Sequence, residues 1–189
     1  MRAPYSLLVA ASFALVSAAP SYDRPLEVRV ASDTTLHIAN GVLYANGVRF
    51  TGLLVDPSRS GAERAEVTYR DGLRDGEELA WYPNGQLMHR RRYARGREDG
   101  EHLGWWQDGT RHFVYHFSNG LLEGEAREWF PNGTPFRVFH YAAGQEEGAQ
   151  IMWYANGALR ANYVVRNGRR FGLPGSKGCT GMDSSESSR

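Results

Sequence analysis

A repeat of 24 residues runs through most of this chain. Residues of the same kind recur at that interval in several columns, and a period of this length is typical of proteins that stack one small structural unit many times. One column is aromatic (Tyr69, Tyr93, Phe117, Tyr141), another is tryptophan (Trp81, Trp105, Trp129, Trp153), and a third is glycine (Gly85, Gly109, Gly133, Gly157). The repeat therefore predicts tandem copies of one unit, folded as a single domain.

Each copy has the sequence of a β-hairpin. In Tyr82-Pro83-Asn84-Gly85-Gln86, proline presets φ, asparagine tolerates the next turn position, and glycine accepts a left-handed conformation. We therefore expect a three-residue loop between strands Glu77–Tyr82 and Gln86–Tyr93, which are rich in apolar and aromatic residues. The segment Gly72–Gly76, with a glycine at each end, is expected to form the turn between copies. The predicted fold class is all-β, an antiparallel meander with two strands per copy.

Side chains alternate between the faces of a strand. On that basis the odd-numbered residues are expected to share one face, which would carry the tryptophan column together with Tyr93, Phe117 and Tyr141. This face is predicted to be the core. The even face is expected to be more mixed, with Arg90, Arg92, His112, His116 and His140 among its members.

The ends of the chain differ from the repeats. Residues 1–18 have a cationic start at Arg2, an apolar stretch from Leu7 to Val16 and small residues before Ala18, which is typical of a secretory signal. We expect cleavage after Ala18 and an exported product, periplasmic or extracellular. Residues 19–40 form an N-terminal segment with strands near Leu26–Val30 and Thr35–Ile38. Residues 41–172 are the repeat domain, with an irregular loop over Asp56–Ala65, and the glycine- and serine-rich residues 173–189 are expected to be disordered.

Charge and cysteine content exclude some functions. The sequence has 22 basic and 21 acidic residues, and loss of Arg2 with the signal would balance them, so nucleic acid is not the expected partner. The one cysteine, Cys179, cannot form a disulfide within the chain. It is expected to be a bystander, with pairing to another chain as the alternative.

Polar columns raise the question of metal binding. An acid precedes the second glycine of each copy (Asp75, Asp99, Glu123, Glu147). With two strands per copy, equivalent residues should lie about 10 Å apart, too far to share a calcium ion. We therefore expect the acids to stabilise turns, and the same spacing argues against zinc at His116 and His140. No catalytic motif is present, so the chain is expected to be no enzyme and to need no cofactor.

The repeat columns resemble a known family. The pattern Tyr-x-x-Gly-x-x-x-Gly-x-x-x-x-Trp-Tyr-Pro-Asn-Gly is similar to the variant MORN repeat, found in bacterial proteins often labelled antitoxin components of toxin–antitoxin systems. Residues 41–52, with the step Phe50-Thr51-Gly52, resemble the opening unit of that family. The resemblance covers about residues 41–172 and implies an elongated antiparallel sheet used for binding, without catalytic residues.

The expected function is that of an exported binding scaffold for another macromolecule, most simply a protein. The alternative is peripheral association with a membrane or cell wall, through the basic run at Arg90, Arg91 and Arg92 and the aromatic pair Trp105 and Trp106. Because nearby acids (Glu77, Glu78, Glu98, Asp99) can pair with the arginines, a solvated and partly neutralised surface is the simpler interpretation of the run. The five residues of the run and the aromatic pair are the candidate binding residues.

Overall fold

The computed structural model describes residues 27–57 and 64–173, and all regular structure in these ranges is β. The N-terminal strands are β1 (Glu27–Val30), β2 (Leu36–Ala39), β3 (Val42–Ala45), β4 (Val48–Arg49), β5 (Gly52–Asp56) and β6 (Arg64–Arg70). The regular copies give β7 (Leu73–Trp81), β8 (Leu87–Ala94), β9 (Arg97–Glu98), β10 (Gly100–Trp105), β11 (Arg111–Ser118), β12 (Leu121–Leu122), β13 (Gly124–Trp129), β14 (Pro135–Ala142), β15 (Gln145–Trp153) and β16 (Leu159–Arg166). The last described strand is β17 (Arg169–Leu173).

The strands follow one another in the sheet in the order of the chain. From β5 to β17 every neighbouring pair is antiparallel, which confirms the all-β meander. One pair departs from the rule, because β1 runs parallel to β5. Strands β2, β3 and β4 form a separate three-stranded sheet.

The small N-terminal sheet packs against the first copy. The Leu43 N–H donates to the carbonyl of Gly72 at 2.8 Å, and the Gly72 N–H donates to the carbonyl of Phe50 at 2.7 Å. A Cβ on Gly72 would lie 2.3 Å from Val42 Cγ1, so only glycine allows this approach. Phe50, Leu43, Val67 and Tyr69 make a buried cluster where the two parts meet. The opening unit is thus joined to the repeats by both hydrogen bonds and packing.

The three-residue hairpin loop is confirmed. The Gly85 N–H donates to the carbonyl of Tyr82 at 2.9 Å, the Tyr82 N–H donates to the carbonyl of Gln86 at 2.8 Å, and Gly85 has φ +82°. Beyond the loop the register slips by one residue between Ala80 and Trp81, where Trp81 pairs with Leu87 and Ala80 with His89. Met88 is therefore the extra residue of a β-bulge.

The turn between copies is shorter than expected. Asp71 and Gly72, with φ +50° and +80°, form a two-residue hairpin turn, and β7 begins directly afterwards at Leu73. Gly76 lies within the strand at φ +112°. The expectation of a turn over Gly72–Gly76 was wrong. A two-residue turn with positive φ at both positions matches the twist of the strands, and Gly76 bends the strand that follows this turn.

The structure tests only some of the other predicted segment boundaries. The expected irregular loop over Asp56–Ala65 is too long, since Asp56 and Ala65 pair as strand residues; residues 58–63 lie outside the described ranges. The signal at 1–18, residues 19–26, Cys179 and the tail from residue 174 lie outside them too, so those predictions stay untested. Nowhere in the described ranges is there a helix long and apolar enough to cross a membrane.

Candidate functional site

Strand pairing divides the side chains between two faces of the sheet. Residues that pair across strands share a face, and β7 pairs with β8 as Glu78 with Arg91 and Leu79 with Arg90. Even-numbered residues of the first strand of a copy therefore lie on the same face of the sheet as odd-numbered residues of the second strand. We call the side that carries Tyr69, Tyr93, Phe117 and Tyr141 the tyrosine face, and the side that carries Trp81, Trp105, Trp129 and Trp153 the tryptophan face.

The prediction that odd residues share one face throughout was wrong. The four tryptophans do lie on a common side, at equivalent positions of β7, β10, β13 and β15, but Tyr93 and its equivalents point to the opposite side. The bulge at Met88 and its equivalents adds one residue per hairpin. That residue reverses the numbering parity between the two strands.

The core lies mainly on the tyrosine face, not with the tryptophans. Buried residues of this face are Ala65, Val67, Tyr69, Ala80, Tyr93, Ala126, Phe139, Ala161, Tyr163 and Val165. On the other face Leu103 is buried, whereas the four tryptophans are only half-buried. Arginines cover two of the indole rings, Arg64 on Trp81 at 4.3 Å and Arg111 on Trp105 at 4.6 Å from the ring centroids. The four tryptophans, called the tryptophan ladder below, therefore pack on the more polar face of the sheet.

A row of aromatic rings crosses the middle of the tyrosine face. Phe113 and Tyr115 stack with their centroids 4.7 Å apart, and His102 lies 4.6 Å from Phe117. Phe113, Tyr115, Phe117 and Tyr141 remain partly exposed. Gly104 makes room for the row, since a Cβ there would lie 2.1 Å from Phe113 Cε1. Partly exposed rings that lie on one face of a sheet are typical of a contact surface.

Arginines lie over the rings of the same face. The guanidinium carbons of Arg74, Arg137 and Arg170 lie 5.2, 5.3 and 5.1 Å from the ring centroids of Tyr93, Phe139 and Tyr163. At these distances the cation is attracted by the ring and its orientation is restricted. All three guanidinium groups are partly exposed, so positive charge is held among the rings at the solvent boundary.

Two carboxylates of this face lie beneath the arginines. Glu78 is 3% exposed and Glu128 is 9% exposed. Glu78 contacts Arg74 and His89, each at 3.3 Å. Glu128 accepts hydrogen bonds from the Tyr115 hydroxyl and from Arg137. Burial and the bond to Glu128 both raise the pKa of Tyr115. Burial opposes the charge of Arg137, but Glu128 raises the pKa of that guanidinium. In these clusters the arginine side chains are therefore more exposed to solvent than the carboxylates.

Buried polar residues in one column of the repeat lie where the strand pairing shifts a second time in each copy concerned. Between Phe139 and Tyr141 the pairing of β14 with β15 shifts. Gln150, which is fully buried, donates from Nε2 to the His140 carbonyl at 2.8 Å and accepts from the His140 N–H at 3.2 Å. His102 occupies the same column two copies earlier, and its Nε2 lies 2.8 Å from the Arg92 carbonyl. These side chains replace missing strand hydrogen bonds, a role that the sequence pattern did not reveal.

The predicted basic run is divided between the faces. Arg90 and Arg92 lie on the tryptophan face and Arg91 on the tyrosine face. Arg90 lies 3.5 Å from Glu101, and Arg91 lies 3.8 Å from the buried Glu78. Trp105 is on the tryptophan face, whereas Trp106 stacks on His112 at 3.7 Å and donates to the Trp129 carbonyl. The structure therefore does not bring the five candidate binding residues into one cluster.

The acid column joins neighbouring copies. Asp75 accepts a hydrogen bond from the backbone N–H of Arg95 at 3.0 Å, and Glu123 accepts one from the N–H of Ala143 at 2.8 Å. Thr51 takes the same role toward Asp71 in the opening unit. Asp75 and Glu123 thus cap the turn that leads into the next copy, as the turn-stabilising interpretation predicted. Within the described ranges, no three histidine, cysteine, aspartate or glutamate side chains come together as a metal site.

The fold and these surfaces define an all-β repeat protein whose copies are joined edge to edge. The family model of the MORN repeat variant matches residues 74–94 and 122–143, and both segments lie within the 24-residue copies described above. These two copies are therefore MORN-variant repeats, as the sequence columns indicated. Such repeats generally serve as binding modules for proteins or membranes. A comparison with curated proteins finds no match.

Proposed function

We propose that this chain is an exported, non-catalytic scaffold that binds a partner protein through its tyrosine face. The observation that carries the proposal is the row of partly exposed rings at Phe113, Tyr115, Phe117 and Tyr141. Elements of the sheet contact mainly their neighbours in strand order, so the rings look outward from a single layer. An uncovered aromatic surface of this kind suits a macromolecular contact.

Charge favours an acidic polypeptide as the partner. Arg74, Arg91, Arg137 and Arg170 carry the positive charge of the tyrosine face. Glu78 and Glu128 are buried below them, and the partly exposed Glu146 is paired with Arg170. A carboxylate approaching from solvent would meet guanidinium groups that the rings already hold in place. An extended acidic segment would fit, because its side chains alternate between the surface and solvent.

We infer the absence of catalysis from the contacts that the buried polar side chains make. His102 and Gln150 complete backbone pairing, and Glu78 and Glu128 hold arginines. None of these groups is left to act on a substrate. A hydrolase activity that disappears with a single substitution on the tyrosine face would refute this part of the proposal.

A matched pair of peptides tests the binding. The titrant is a decapeptide rich in Asp, Glu and aromatic residues, and its counterpart has Asn and Gln in place of the acids. We expect the acidic peptide to bind at least about tenfold more tightly, which corresponds to about 1.4 kcal/mol. Equal binding of both peptides, or no binding of either, would contradict the proposed partner.

Two neighbouring arginines provide the control for the surface. Arg91→Ala alters the tyrosine face and Arg90→Ala the tryptophan face, one residue away and similarly exposed. Peptide binding should weaken in Arg91→Ala and in Tyr141→Ala and stay unchanged in Arg90→Ala. If only Arg90→Ala weakens binding, the peptide binds the tryptophan face and the proposal is wrong.

The membrane alternative is tested by the same variants. Anionic phosphatidylglycerol vesicles would be recognised by exposed arginines such as Arg92 on the tryptophan face. The scaffold proposal predicts that the chain does not sediment with these vesicles in about 0.15 M salt. Co-sedimentation that is lost when Arg90, Arg91 and Arg92 are all changed to alanine would favour the membrane instead.

Export is supported by the leader-like residues 1–18 alone. N-terminal sequencing of protein collected outside the cytoplasm should begin at Ala19. Intact Met1 on the accumulated protein would remove this part of the proposal.

A further inference from the structure

The sheet ends in a strand whose sequence departs from the repeat. β17 occupies the position of the first strand of a fifth copy, and it pairs with β16 on one side only. Among the described residues its other edge has no strand partner. In the preceding copies that same edge is covered by the second strand of the hairpin.

Two polar columns become apolar at this edge. Phe171 stands where the earlier copies have the capping acids Asp75, Asp99, Glu123 and Glu147, and Leu173 stands where three of them have Glu77, Glu101 and Glu125. Phe171 is 56% exposed and Leu173 is 55% exposed. Repeat arrays normally end in a polar copy, and edge strands are normally protected by charges. In β17 only Arg169 and Arg170 supply charge, and the following half of the strand, with Phe171 and Leu173, is apolar and exposed.

The remainder of the chain does not restore the pattern. Residues 174–189 contain no aromatic residue, and Lys177 stands in the tryptophan column. Residues 174–189 therefore lack the aromatic residues that the second strand of each earlier hairpin contains. An open edge with unpaired backbone groups is a template for pairing with another strand.

We propose that the outer edge of β17 pairs antiparallel with the β17 edge of a second copy of this chain, so that the sheet continues across a two-fold axis. Pairing centred on Phe171 places the two Phe171 rings opposite each other and Leu173 opposite Arg169 of the other copy. Arg170 then faces Gly172 of the other copy, and its charge is already met by Glu146 at 3.0 Å. Like charges are kept apart, and the apolar side chains of each copy are covered on the tryptophan face.

The pairing is an extension of the contact that joins the repeats within one chain. Each hairpin inside the molecule is an antiparallel strand pair of the same kind, so the dimer needs no new geometry. Because only one short strand contributes from each copy, the contact is small and the expected Kd is micromolar.

Sedimentation of the purified chain over a concentration series tests the proposal. The unaltered chain should shift from monomer to dimer, and the double variant Phe171→Glu with Leu173→Glu should weaken dimerisation at least about tenfold with an unchanged melting temperature. Leu121→Glu is the matched control, since Leu121 is 50% exposed in the middle of the array, and it should leave dimerisation unaltered. A chain that stays monomeric, a double variant that still dimerises, or an equal effect of the control would overturn the proposal.

A cross-link fixes the geometry of the contact. In a Cys179→Ser background, Phe171→Cys should give a disulfide-linked dimer on mild oxidation, whereas Leu121→Cys should not. If the chain forms species larger than a dimer that grow with concentration, the contact joins different edges in a head-to-tail manner, and the two-fold pairing is wrong.

Discussion

Gln150 shows how one side chain keeps an irregular sheet intact. It supplies both a donor and an acceptor to the backbone of His140, where the strand pairing shifts. Gln150→Leu should leave both backbone groups without partners, at a cost of about 1 to 3 kcal/mol for each. Urea denaturation measures the loss.

The exposed Gln145 on the same strand is the control for this change. Gln145→Leu should alter the free energy of unfolding by no more than about 0.5 kcal/mol. Equal effects of the two substitutions would show that the buried amide does not replace the backbone bonds.

His102 makes stability depend on pH. It is 2% exposed, and burial lowers its pKa, although the Arg92 carbonyl and the carboxylates of Glu98 and Glu78 act in the opposite direction. The unfolded chain therefore binds more protons than the folded chain just below the ordinary histidine pKa of about 6.5. Stability should be complete above that pH and should fall as the pH drops through it toward the lower folded pKa.

His102→Gln isolates the contribution of that histidine. Glutamine does not titrate, and Gln150 shows that it fits this column. The variant should lose less stability than the unaltered chain between about pH 7.5 and pH 5.5. A smaller slope should remain, because burial also lowers the pKa of His112. Identical slopes for the two proteins would exclude His102 as the cause.

At the scale of the hairpin, the acid column determines how firmly one copy holds the next. The Glu123 carboxylate caps the Ala143 N–H at 2.8 Å. In the described structure the Glu147 carboxylate makes no equivalent bond, although it stands in the same column. Glu123→Ala should therefore lower the free energy of unfolding by about 0.5 to 1.5 kcal/mol, and Glu147→Ala should change it less. Thermal unfolding of both variants in one buffer makes the comparison.

The hairpin also explains why the sequence located the strands but misplaced their faces. The Pro-Asn-Gly loop and the glycine columns were sufficient to predict two strands per copy. The bulge at Met88 has no such signature, since the equivalent positions hold His112, Phe136 and Arg160. Packing and twist select a bulge at this point, and the extra residue moves the side chains that follow it on the second strand of the hairpin to the other face.

At the scale of the whole molecule, the position of the core predicts which aromatic column matters most for stability. Phe139 is 5% exposed on the tyrosine face, whereas Trp129 is half-buried on the opposite face. Phe139→Ala should cost about 3 to 5 kcal/mol. Trp129→Ala should cost less than that, contrary to the expectation that the tryptophan ladder is the core. Denaturant titration of the two variants decides the order, and a larger loss for Trp129→Ala would reverse the assignment of the core.

The sequence alone determined the repeat length, the hairpin loop, the all-β class and the family, because each of these depends on residues near one another in the chain. The tertiary structure decided which side is the core, where the arginines meet the rings and how the acids cap the next copy. Those features depend on register between strands, and register is set by bulges and by packing across the sheet rather than by local preference. The candidate surface was missed at three arginines for the same reason. Arg74 and Arg170 each lie over a ring of a neighbouring strand, and Arg137 donates to Glu128 of the neighbouring strand β13.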